Sequence, residues 1–320
     1  MGLYLITGGA GFIGSHLATA LVERGDRVRV LDLVPDGAHH NLDHLEVGHY
    51  GSGAPVEYLS GDVASAADCV QAMQGVQGVL HEAAQVSVPE SVAEPVRSYQ
   101  VNVQGTQNLL EAARSAGVKR FLFAASAAAY GDNPEVPKRE TMVPEPCSPY
   151  ASGKIAGEHL LRVYGMCYGL KTVALRYFNV FGPRQADDSP YTGVIAIFAS
   201  RLLAGKPVTI FGDGGQTRDF TAVENVVHAN LLALDADVEP GAVFNVGGQQ
   251  SVSLNDLYQV MAEYIGVERK PDYGPVRDGD VRHSLADISQ ARAQLGYEPV
   301  LDWRQGLRQT MDWYAGRVTS

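Results

Sequence analysis

The stretch "ITGGAGFIGSH" (residues 6–16) decides how this chain is read. It follows a short apolar run, "LYLIT" (3–7), and opens a helical pattern, with Gly8, Gly11 and Gly14 in a Gly-x-x-Gly-x-x-Gly series. Glycines so spaced allow a tight turn and let a pyrophosphate approach the backbone at a helix N-terminus, where Phe12 and Ile13 carry the first helical N–H groups. Eighteen residues past Gly14, at the end of a second apolar run, stands Asp32. A carboxylate there accepts hydrogen bonds from adenosine ribose hydroxyls and repels a 2′-phosphate, which favours NAD over NADP. A glycine triplet alone also makes plain turns. Strand before, helix after and acid at this distance together specify a dinucleotide site.

Working outward, "VRVLDL" (28–33), "VEYL" (56–59), "GVLHEAA" (78–84), "RFLFAAS" (120–126) and "TVALRYF" (172–178) read as buried parallel strands. Helical patterns over 98–117 and 149–165 alternate with them. The expected fold is α/β: a Rossmann-type doubly wound parallel sheet with a smaller, discontinuous C-terminal α/β lobe. The cofactor domain is expected over 1–178, with 221–247 returning to it, and the substrate lobe over 179–220 and 248–320. The polar stretch 34–55 reads as a long surface loop. Its His39, His40, His44 and His49 lack cysteine or acid partners at ligand spacing, so no metal is expected.

Composition narrows the class. With 45% hydrophobic and 19% charged residues, the 320-residue chain reads as an ordinary globular enzyme. A formal net charge of −11 disfavours nucleic acid or an anionic membrane as partner. Cys69, Cys147 and Cys167 are odd in number and far apart, and read as free thiols in a reducing compartment. No apolar run approaches the ~18 residues of a membrane span, and no secretory leader pattern precedes "LYLIT". A cytoplasmic location is expected.

The candidate chemistry begins at "SPYASGK" (148–154), where Tyr150 and Lys154 lie four apart on one helical face. Such a pair arises often by chance, and alone it decides nothing. Ser126 closes the strand 120–126, and a serine there is commonly a turn former.

"TGGAGFIG", "GDV" (61–63), "HEAAQ" (81–85), "NVQGT" (102–106), "SAAAYG" (126–131), "YASGK" and "RYFNVFGPRQ" (176–185) occur in the order found in extended short-chain dehydrogenases/reductases. The chain resembles the nucleotide-sugar epimerases of that family over nearly its whole length. The resemblance implies that Asp62 and Val63 flank the adenine, that Ala83, Ala84 and Asn102 line the cofactor channel, and that Tyr177 lies near the nicotinamide. It also implies a catalytic set of Ser126, Tyr150 and Lys154. A sugar hydroxyl would lose its proton as its carbon gives a hydride to NAD, and a free phenol has a pKa of ~10. Lys154 and the positive nicotinamide are expected to pull Tyr150 towards working pH, with Lys154 also holding the nicotinamide ribose.

Dehydrating relatives resemble one another in an Asp-Glu pair after the serine position; here Ala127 and Ala128 stand there. With Ser126 and Tyr150 as the only proton handlers, oxidation, rotation and reduction on the opposite face (epimerisation) is the simplest cycle. For the UDP-sugar substrate, the resemblance points to Ser87, Asn179, Val194, Arg218, Arg277 and Asp280, with the two arginines on the diphosphate. In "GDVRHSLADISQARAQLGY" (279–297), Ser284 stands where epimerases restricted to UDP-glucose and UDP-galactose usually carry a tyrosine. The phrase resembles that of bacterial UDP-N-acetylglucosamine 4-epimerases, and a small residue leaves room for an N-acetyl group. A solvent-facing turn serine, a UDP-glucose or UDP-glucuronate 4-epimerase, and a non-catalytic NAD-sensing protein are the competing readings. Relatives commonly dimerise through a four-helix bundle, here 98–117 with 149–165. Leu109, Leu110, Leu160 and Leu161 would serve either that bundle or the core.

Overall fold

The computed structural model describes residues 1–186, 193–276 and 281–318. Short apolar runs form strands β1 (Leu3–Thr7), β2 (Arg27–Asp32), β3 (Val47–His49), β4 (Val56–Ser60), β5 (Gly78–His81), β6 (Arg120–Ser126) and β7 (Lys171–Tyr177). With a last strand, Ala242–Val246, they make one eight-stranded sheet in the order β3, β4, β2, β1, β5, β6, β7, 242–246. Every pair in it is parallel. The chain leaves β1 in one direction and resumes at β5 in the other. The switch point therefore falls between β1 and β5, where open α/β sheets bind ligands beyond their carboxyl ends.

Alternation along the strands sends side chains into two cores. Ile6, Val30, Leu80 and Leu122 pack with Leu17 and Leu21 of α1 (Phe12–Glu23) and with Val226 and Ala229 of helix Val223–Asp235. Leu5, Leu31, Val79 and Phe121 pack on the other face against helices Gly105–Ala116 and Pro149–Tyr168. A third cluster lies apart from the sheet. It joins helices Val194–Leu203, Leu254–Ile265 and Trp303–Val318 through Ile195, Phe198, Leu257, Met261, Leu307 and Met311.

The stretch 34–55 is more ordered than a surface loop: it holds a 3₁₀ turn, His40–Leu42, and the edge strand β3. One valine beside a glycine gives too little periodicity to announce a strand. The helix read over 98–117 is three pieces: Pro95–Tyr99, a π-helical turn at Gln100–Gln104, and Gly105–Ala116. Leu109, Leu110 and Leu161 are completely buried against the sheet, so these leucines serve the core. Cys69 is buried, Cys147 and Cys167 are exposed, and all three are free thiols. No helix among the described residues is long and apolar enough to cross a membrane.

Candidate active site

A cleft of about 860 Å³ runs over the carboxyl ends of the strands. Gly8, Gly11, Phe12, Ile13, Gly14, Asp32, Asp62, Val63, Ala83 and Ala84 line it from the β2 side. Ser87, Ser126, Tyr150, Lys154, Tyr177 and Asn179 line it towards β6 and β7.

The first group fits a dinucleotide. Gly8 has φ +68°, and a Cβ there would lie 2.8 Å from the Ala83 nitrogen; at Gly14 it would lie 2.2 Å from the Gly8 oxygen. Only hydrogen fits at either place. Gly11 caps α1 without any side-chain hydrogen bond, so the first-turn N–H groups keep their capacity for an anion. Asp32 is held at the tip of β2, its Oδ2 accepting from the Ala10 N–H at 2.9 Å and its Oδ1 from the Val34 N–H at 3.2 Å. Arg97 donates to Asp62 at 3.2 Å. Asn102 does not line the cleft. It is buried behind it, its carboxamide accepting from the Gln85 N–H at 2.9 Å and donating to the Gln85 carbonyl at 3.1 Å. That arrangement fixes the wall formed by residues 83–85.

Helix Pro149–Tyr168 delivers Tyr150 and Lys154 from its first two turns. Ser148 accepts from the Ala151 N–H at 3.2 Å, and Pro149 opens the helix. The Tyr150 N–H donates to Ser91 at 3.2 Å, pinning the start of the helix to the neighbouring segment. Lys154 Nζ is 5.8 Å from the centre of the Tyr150 ring, yet it donates to the Ala124 carbonyl at 2.7 Å. Ser126 accepts from the Ala128 N–H at 3.1 Å.

Burial pushes the Tyr150 phenol above its ordinary value; a hydrogen bond with Ser126 opposes this, and the charge of Glu82 adds to it. Lys154 is itself pushed down by burial and held up by Glu82. Its ammonium is hydrogen-bonded to the Ala124 carbonyl, while Glu82 acts on it through its charge.

Sequence reasoning missed Glu82 inside "HEAAQ", although its place directly after β5 put it at the switch point. Glu82 and Glu90 both line the cleft, two carboxylates that the sequence reading did not place beside Ser126 and Tyr150. Other expected residues lie elsewhere. Val194 opens helix Val194–Leu203 just after Gly193, which does line the cleft. Arg218 donates to the Thr217 carbonyl at 2.9 Å, and the Ser284 N–H donates to the Thr217 carbonyl at 3.1 Å. Both residues thus meet at the Thr217 carbonyl, outside the cleft lining. Arg277 and Asp280 lie outside the described residues. Among the described residues, no group of three or more His, Cys, Asp or Glu could hold a metal.

An eight-stranded parallel sheet, an uncapped helix behind a glycine turn and an acid at the tip of β2 define a Rossmann-type enzyme that uses NAD. Residues 4–247 match the model of the NAD dependent epimerase/dehydratase family, and the chain belongs to that family. Three solved structures share its fold along nearly the whole length. A UDP-glucose 4-epimerase with UDP-glucose from Thermotoga maritima is 38% identical, with a TM-score of 0.91 and 99% of each chain covered. A UDP-N-acetylglucosamine 4-epimerase from Methanobrevibacter ruminantium M1, in complex with UDP-N-acetylmuramic acid, is 36% identical, also with a TM-score of 0.91 and 99% of each chain covered. A UDP-glucose 4-epimerase from Thermus thermophilus in complex with NAD is 39% identical, with a TM-score of 0.86 and 98% and 99% coverage.

Proposed function

We propose that this chain interconverts UDP-N-acetylglucosamine and UDP-N-acetylgalactosamine by 4-epimerisation through a transient 4-keto sugar, and that it also turns over UDP-glucose and UDP-galactose. The observation that carries the epimerase reading is the meeting of Ser126, Tyr150 and Lys154 with the dinucleotide cradle in one cleft. The sugar assignment is supported by the small residue at Ser284 and by the similarity to the Methanobrevibacter enzyme.

Gly8, Gly11, Phe12, Ile13 and Gly14 hold the pyrophosphate, and Asp32 holds the adenosine ribose. NAD held there would supply the hydride acceptor, and then the hydride donor, for carbon 4 of the sugar. Tyr150 takes the proton from the carbon-4 hydroxyl and gives it back to the epimer. Ser126 hydrogen-bonds the same sugar oxygen and offsets part of the burial that opposes ionisation of Tyr150. Lys154, its Nζ fixed by the Ala124 carbonyl, carries positive charge to the floor of the site. Residues 179–220 and 248–320, built around the third apolar cluster, hold the nucleotide end. Arg218 and Arg277 take the diphosphate there, Asp280 takes the uridine ribose, and Asn179 and Val194 meet the sugar nucleotide.

The partner is a second copy of this chain, joined by a four-helix bundle. Supporting this, Val96, Tyr99 and Val163 are exposed on the helices concerned, beside a groove lined by Pro95, Tyr99, Ser152 and Ala156. The chain acts in the cytoplasm in this reading.

Incubating the purified protein with UDP-N-acetylglucosamine, without added NAD, should yield the galacto epimer. A strong preference for UDP-glucose would overturn the sugar assignment. Absence of any epimer, even with NAD added, would overturn the reaction.

A further inference from the structure

Glu82 is a carboxylate in the cleft that the epimerisation cycle leaves without a role. It follows β5 at the switch point of the sheet. The Tyr177 hydroxyl donates to Glu82 Oε1 at 3.0 Å. Asn230 Nδ2 donates in turn to the Tyr177 oxygen at 2.8 Å and to the Val226 carbonyl at 2.9 Å. Asn230 is fully buried in helix Val223–Asp235, so a two-link chain rooted in the core aims the carboxylate.

The titratable groups that face Glu82 are Tyr177 on β7 and Tyr150 and Lys154 on helix Pro149–Tyr168. Its charge works against ionisation of the two phenols and in favour of the ammonium. A carboxylate beside the phenol that has to ionise is counterproductive unless a further cation joins the site. The cleft supplies a place for one. A dinucleotide with its adenosine ribose on Asp32 and its pyrophosphate on α1 would have the rest of the cleft, lined by Ser126, Tyr150 and Lys154, for its other ring. That ring is positive when oxidised and neutral when reduced.

We propose that Glu82, aimed by Tyr177 and Asn230, sets the charge of the site so that the oxidised dinucleotide is held in preference to the reduced one. The enzyme then rests in the form that accepts a hydride. The inference depends on the cofactor site and not on the sugar assignment, and its test uses no sugar.

The full chain, stripped of nucleotide, is titrated separately with NAD+ and with NADH, and the ratio of the two dissociation constants is compared among variants. Glu82→Gln should lower the preference for NAD+ on the order of tenfold, the effect of one unit charge on another about 10 Å away at a protein's effective dielectric. Glu82→Asp, which keeps the charge, should retain most of the preference, and Tyr177→Phe, which cuts only the tether, should shift it less than Glu82→Gln does. An unchanged ratio in Glu82→Gln, or equal weakening of both forms, would overturn the proposal. Should Glu82→Gln bind neither form, the wild-type chain decides. Acidification protonates Glu82 while Lys154 stays charged, so the preference must fall as pH is lowered; a flat ratio would again overturn the proposal.

Discussion

Replacing Gly8 by alanine tests whether the β1–β5 crossing is as tight as the geometry says. Two penalties meet there. Gly8 sits at φ +68°, where an L-residue costs about 1–2 kcal/mol. Its added Cβ would also stand 2.8 Å from the Ala83 nitrogen, 2.9 Å from the Ala83 Cα and 3.1 Å from the Glu82 carbonyl carbon. All three are backbone atoms that cannot swing aside, so the ends of β1 and β5 must separate, at a further cost of about 1–3 kcal/mol as for overpacking. Gly25→Ala provides the internal standard, since Gly25 has φ +87° with nothing within 4 Å of the added Cβ. Urea unfolding should show Gly8→Ala losing about 2–5 kcal/mol and Gly25→Ala about 1–2 kcal/mol. Because Ala83 walls the cleft, NAD affinity should drop tenfold or more in Gly8→Ala and stay unchanged in Gly25→Ala. Equal stability losses in the two variants, with NAD affinity intact in both, would refute the close approach.

Tyr150→Phe should lower kcat by roughly 10²–10⁴-fold and leave UDP-sugar affinity largely intact, as read by calorimetry. Ser284→Tyr should suppress turnover of acetylated sugars selectively; equal loss on all sugars would mean general damage. Asp219 is completely buried and accepts from the Gly248 N–H at 2.8 Å and the Ala286 N–H at 3.0 Å. Asp219→Asn turns an amide donor onto these donors and should cost about 1–3 kcal/mol in denaturant unfolding.

Legibility followed local chemistry. The glycine turn and Asp32 could be read because both of their duties, tight turning and ribose binding, fall within one βαβ unit. β1 and β6 appear with the boundaries the apolar runs predict. Glu82 escaped because its partner Tyr177, and Asn230 behind that tyrosine, stand 95 and 148 residues away in sequence, and nothing local announces them. The Tyr150–Lys154 spacing showed nearness but not where the ammonium points; the Ala124 carbonyl that holds it belongs to β6, thirty residues earlier. β3 escaped for a simpler reason, three residues with one valine among them. The leucines of the two long helices carry the same periodicity whether they face a sheet or a second subunit, and only packing distinguishes the two.

The carboxamide of Asn102 meets the N–H and the carbonyl of Gln85 as a neighbouring strand would. It does so from a π-helical turn, whose extra residue shifts the side chain in register. Between Ala83 and Gln85 the cleft wall beyond β5 is thus anchored by the side chains of Thr7 and Asn102 instead of by a strand ladder. A change in that wall therefore acts first on these side-chain anchors and on what the cleft admits, and only through them on the hydrogen bonds of the sheet.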